Sequence, residues 1–160
     1  MGEERIGYIT GLSLYNGMEL TTQVPKTVTI ATEKARQKKS LGNIDIRLIP
    51  SKPPVNERNK EYLEVLDALM DIKNIPASQP FEVLDISGQK IKDMDENALH
   101  SLVHPAKGYY PLATKALLGL IMNTNGYAIS CLLAEDLNPS TRYNIGLKGY
   151  WSQAKKRKII

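Results

Sequence analysis

The chain has little of what stapled or chemically reactive proteins carry. Among its 160 residues there are one cysteine, one tryptophan, one phenylalanine and two histidines. The single thiol, Cys131, has no internal disulfide partner and stands in the apolar run Ile129 to Ala134 with no histidine near it in sequence. A buried structural thiol in a reducing compartment is therefore expected, because a nucleophilic cysteine needs a neighbour that lowers its pKa. The sequence shows no signal peptide and no apolar stretch long enough to span a bilayer, so the expected location is cytoplasmic, without a membrane partner.

Catalytic signatures are equally scarce. There is no Walker loop, no Rossmann fingerprint and no Gly-x-Ser-x-Gly elbow. His100 and His104 stand four apart, a spacing that can share a metal on a helix, but the glutamate of HExxH and a third ligand at recognisable spacing are missing. Asp93-Met94-Asp95 has the paired carboxylates of a magnesium-dependent nucleotidyltransferase without the Gly-Ser that goes before them, and reads as a loop and helix cap. Asp45 lies on a strand as a restriction-type nuclease requires, yet no partner strand offers an acid-x-lysine pair. The expectation is a non-enzymatic domain without metal or cofactor.

What is present is an ordinary folding composition, 42% hydrophobic and 24% charged, in a chain of one-domain length. The formal charge of +4 is unevenly spread. Lys26 to Lys60 holds nine basic and three acidic residues, Glu61 to His100 three basic and nine acidic, and Leu137 to Ile160 six basic and none acidic. Basic flanks brought together in a fold suit phosphates or an acidic partner. Lys34, Arg36, Lys38, Lys39 and Arg47 in the first flank, and Arg142, Lys155, Lys156, Arg157 and Lys158 in the last, are the candidate nucleic-acid or partner contacts. Tyr143, Tyr150 and Trp151 interleave flat rings with that charge, as single-strand surfaces do.

Periodicity gives the elements. Ile6 to Ile9 is β-prone, and Thr10 offers an oxygen to cap a short helix with Leu12, Leu14 and Tyr15 on its apolar side and Gly17 as a left-handed stop. An extended exit runs through Thr21, Thr22, Gln23 and Pro25. Val28 to Thr32 and Ile44 to Ile49 alternate as strands; the basic excursion Glu33 to Ser40 between them reads as a turn of helix or an exposed loop, and a hairpin joining the two strands across it is one expected pairing. Gly42-Asn43 turns the chain. Tyr62, Val65, Leu66, Leu69 and Met70 mark a helix capped by Asn56, with Glu61, Glu64, Asp67 and Asp71 forming an acidic stripe on a solvated face or a contact for a basic partner. Phe81 to Met94 reads both as a helix weakened by Ser87-Gly88 and as a short strand with a turn. Asp95 caps a short helix to His104. An apolar helix follows Tyr110-Pro111 to Asn123, Asn125-Gly126 turns into a second over Tyr127 to Glu135, and Asn138-Pro139 opens a final helical turn.

Several of these stretches, taken in order, resemble the AbiEi-like antitoxin family of type IV toxin–antitoxin systems: Tyr8-Ile9-Thr10-Gly11, Leu20-Thr21-Thr22-Gln23-Val24-Pro25, Gly42-Asn43, Leu66-Asp67-Ala68-Leu69, Tyr110-Pro111, Ala116-Leu117-Leu118-Gly119, and Leu137-Asn138-Pro139-Ser140-Thr141-Arg142-Tyr143. The family-motif positions are thus Tyr8, Thr10, Gly11, Thr21, Thr22, Gln23, Pro25, Asn138, Pro139 and Arg142. The resemblance implies an antitoxin and transcriptional regulator that neutralises a cognate nucleotidyltransferase toxin of the AbiEii type without a stable complex. A DNA-binding winged helix usually comes before this region in the family, whereas here Met1-Gly2 lead straight into the pattern, so the antitoxin region alone is expected. Residues alone point to a single α+β domain, a small mixed β-sheet packed against several α-helices. The antitoxin-like domain is expected over 1–147 and a basic C-terminal tail over 148–160. DNA or RNA bound through the basic patches is the alternative function.

Overall fold

In the computed structural model, residues 7–33 and 37–124 are described, with side chains from 37–41 and 123–124 excepted. They form one compact α+β domain whose four-stranded mixed sheet packs against a helical layer. β1 (Gly7–Thr10) runs directly into α1 (Gly11–Gly17), as the β-prone run and the following apolar spacing predict. The chain returns through β2 (Thr27–Thr32), β3 (Gln37–Leu41) and β4 (Ile44–Pro50), then enters α2 (Lys60–Met70), α3 (Pro80–Ile91), α4 (Glu96–Val103), a 3-10 turn (Pro105–Lys107) and α5 (Leu112–Thr124). No helix among the described residues is long and apolar enough to cross a membrane.

The sheet corrects the expected hairpin. Its order is β1-β2-β4-β3, so β2 and β4 are neighbours but parallel, and the hairpin partner of β4 is β3. Part of the basic excursion is therefore a strand, turned into β4 at Gly42-Asn43 with Gly42 in the left-handed region at φ 62°. β1 pairs antiparallel with β2, and register aligns Tyr8 with Ala31 and Ile49, and Thr10 with Thr29 and Arg47. Those alternate residues share one sheet face. Tyr8, Thr10 and Ala31 on it are buried, whereas Ile9 and Ile44 on the opposite face remain 44% and 53% exposed.

Three end signals differ from the local reading. Thr10 adopts the extended cap conformation but makes no cap hydrogen bond, because its hydroxyl is drawn elsewhere. Gly17 stays within α1, and the left-handed residue beyond the helix is Glu19 at φ 60°. Asn56 does not begin α2. Its carboxamide oxygen accepts from the Arg58 and Asn59 amides in a tight turn, and the helix starts at Lys60. Where the local chemistry is less contested it holds: Asp95 accepts from the Ala98 amide at 3.1 Å and caps α4. The ambiguous stretch is helical, with Ser87 and Gly88 buried inside α3 and the Glu82 carboxylate accepting from the Gln79 amide at its start.

α2 is the hub. Leu63, Val65, Leu66, Ala68 and Leu69 are all buried, since β1 and α1 cover one side while α3 and α5 cover the other. A helix covered on two sides has no room for a fully polar stripe. Over 116–122, α5 is buried all round, as its continuous apolar sequence requires.

Candidate functional site

Asp67, in the middle of the hub helix, is 6% exposed. It is not part of a solvated acidic stripe. Its Oδ2 accepts hydroxyl hydrogen bonds from Tyr8 at 2.8 Å and Thr10 at 2.6 Å, and its Oδ1 accepts from Tyr110 at 3.1 Å. β1 supplies the first two donors because residues two apart on a strand point the same way. Tyr110 arrives from the segment that follows the 3-10 turn, after Gly108 reverses the chain at φ 68°. One helical turn on, Asp71 accepts from the Tyr15 hydroxyl of α1. Of the remaining stripe, Glu61 is exposed and Glu64 half-buried.

Burial pushes the Asp67 carboxyl above the usual carboxylate range, against the pull of its three hydroxyl donors, with the nearby Asp71 charge adding to the rise. Burial first, and the facing carboxylates second, hold the phenols of Tyr8, Tyr15 and Tyr110 far above the ordinary tyrosine range. These hydroxyls stay protonated and serve as donors, which fits them to clamp the carboxylates and not to act as bases. Among the described residues no group of three or more His, Cys, Asp or Glu side chains is placed to hold a metal ion. His100 and His104 have ring centroids 6.0 Å apart, and the Nδ1 of His104 accepts from the Ala106 amide.

The hydroxyl-clamped carboxylates form the floor of a cleft of about 390 Å³. One wall is the sheet face with Thr29, Arg47 and Ile49, and another is the exit from β4 with Ser51 and Lys52; Met70 and Tyr109 close the rest. Ser51 donates its hydroxyl to the Pro53 carbonyl at 2.8 Å and its amide to the Thr32 carbonyl at 2.8 Å, which fixes the wall that carries Lys52. Arg47 and Lys52 are both exposed.

The motif positions divide between two places. Tyr8, Thr10 and Gly11, the last at φ 65°, belong to the cleft. Thr21 is buried, and its Oγ1 accepts from the Gln23 amide, while the Asn16 carboxamide donates to the Thr21 and Gln23 carbonyls at 3.3 and 3.0 Å. That second group holds the extended exit against α1; Thr22 and Gln23 are exposed and Pro25 is half-buried. Of the basic candidates, Arg47 lines the cleft, and Lys38 and Lys39 occupy β3 opposite Arg47 and Ile46. Lys34, Arg36, Asn138, Pro139, Arg142, Lys155, Lys156, Arg157 and Lys158 lie outside the described residues, as do Cys131, Trp151 and the helix expected over Tyr127 to Glu135. Tyr15 and Lys52 are not singled out as site residues by any local pattern, and Asp71 only as a member of the acidic stripe. Asp67 carried signals of its own, as a member of the acidic stripe, as part of the family-like stretch Leu66-Asp67-Ala68-Leu69, and as an acid inside the apolar run Val65 to Leu69. No protein-family model, no curated protein and no solved structure matches the chain.

Proposed function

We propose that the chain is a non-enzymatic antitoxin or regulatory domain of the AbiEi-like kind, neutralising a cognate nucleotidyltransferase toxin. One observation carries the reading. Tyr8 and Thr10, Asp67, and Tyr110 come from three separate pieces of the family-like pattern, and they meet in a single buried hydrogen-bonded group. A pattern whose scattered polar members converge to hold shape fits a domain that works by its surface. The test is co-expression with a nucleotidyltransferase encoded beside it. Restored growth is the expected result, and growth arrest that persists at equal expression overturns the reading.

The register favours one other reading. Lys38 stands opposite Arg47 at the β3–β4 edge, within the basic flank of the sequence, which suits a phosphate backbone. Binding to a short DNA or RNA should then weaken steeply as salt rises, and an affinity unchanged between low and physiological salt removes this reading.

A further inference from the structure

We propose that the cleft over Asp67 binds a mononucleotide, its phosphate held by Arg47 and Lys52 at the mouth and its base directed toward the carboxylates of the floor. This goes beyond the antitoxin reading and does not depend on it. The cleft's volume, about 390 Å³, falls in the range of small-molecule sites. Its charges are ordered by depth. Arg47 and Lys52 are exposed, and neither is paired with a carboxylate among the described residues. Asp67 is buried, and Asp71 half-buried.

The floor is already supplied with donors but retains acceptor capacity. A carboxylate offers about four lone-pair sites, and Asp67 uses three of them. Among the described residues, Asp71 accepts from Tyr15 on one carboxylate oxygen and the other has no donor. A ligand must therefore bring N–H donors inward and negative charge outward. Between the two ends it meets the half-buried Tyr109 and the 41% exposed Met70, surfaces suited to a flat ring. A nucleobase joined to a phosphate supplies all three features in one molecule. Inorganic phosphate meets only the cations, and a free amino acid meets both charges but leaves most of the cleft empty.

Titration calorimetry of the full chain with AMP, GMP, CMP and UMP, alongside inorganic phosphate and the parent nucleosides, tests this. At least one nucleotide should bind about ten-fold or more tightly than phosphate or its own nucleoside. Arg47→Ala and Lys52→Ala should each weaken that binding by about ten-fold while leaving the melting temperature unchanged, both side chains being exposed. Failure of every nucleotide to saturate at millimolar concentration overturns the proposal. So does phosphate binding as tightly as the nucleotides, or binding that neither variant weakens. A chain that restores growth without binding nucleotide refutes this site alone, and one that binds nucleotide without restoring growth refutes the antitoxin reading alone.

Discussion

Asp67 shows how a single buried carboxylate is made tolerable inside a packed helix layer. Taking a charge out of water is expensive unless hydrogen bonds replace the hydration it loses, and here three side-chain hydroxyls do so. Removing the acceptor strands those donors. Asp67→Ala should lower unfolding free energy by about 3 kcal/mol, and Asp67→Asn, which keeps a carbonyl oxygen of the same shape, by about 1 kcal/mol. Urea titrations separate the two, and equal losses would mean that cavity formation, not hydrogen bonding, dominates. The raised carboxyl pKa also fixes a pH dependence. The folded protein holds this proton more tightly than the unfolded chain, so the residue adds stability below the ordinary carboxylate pKa of about 4 and withdraws it as pH climbs through the folded value. Melting temperatures of the native chain relative to Asp67→Asn should therefore fall as pH rises above about 4. Glu64, raised by its own burial, titrates in both proteins and largely cancels from the comparison. A relative rise with pH would show that the hydroxyl donors outweigh burial.

Among the elements, those set by contiguous residues were legible from the sequence and those set by distant pairing were not. The β1–α1 junction, the Asp95 cap, the Gly42-Asn43 turn and the apolar α5 follow from spacing and turn chemistry within a few residues. The parallel β2–β4 pair does not, because β3 inserts its hairpin between them in sequence but beyond them in space. Asp67 is the same problem at a site: its three donors lie 59, 57 and 43 residues away. Periodicity sees an acid on a helix and assigns it to water. Only the fold supplies the partners. The β1–β2 pair also contains a close approach that the sequence gives no reason to expect. A Cβ at Gly7 would come within 2.7 Å of the Ile30 Cγ2 and 2.9 Å of the Ala31 carbonyl oxygen. The methyl can move aside, but the carbonyl belongs to the ladder and cannot. Gly7→Ala should cost about 1–3 kcal/mol by chemical denaturation; a neutral substitution would mean that β1 shifts freely along its edge.

Across the whole molecule, burial among the described residues is concentrated around α2 and thins toward β4. Leu63, Leu66 and Leu69 are inaccessible, and the Tyr8, Thr10, Tyr15 and Tyr110 hydroxyls tie β1, α1 and the approach to α5 onto the same helix. On β4, by contrast, Ile44, Asp45 and Arg47 are exposed. Segments that share buried contacts open together, and segments that lack them open alone. Amide hydrogen exchange should therefore be slowest over Leu63 to Leu69, slow in β1, and fastest among the strands in the β3–β4 hairpin. Asp67→Ala should accelerate exchange in α2 and β1 by the same factor, because it loosens their common anchor, while hairpin amides that open independently keep their rates. Uniform acceleration across the sheet would instead make the strands and the hub helix one cooperative unit, with the cleft between them no freer to open than the core.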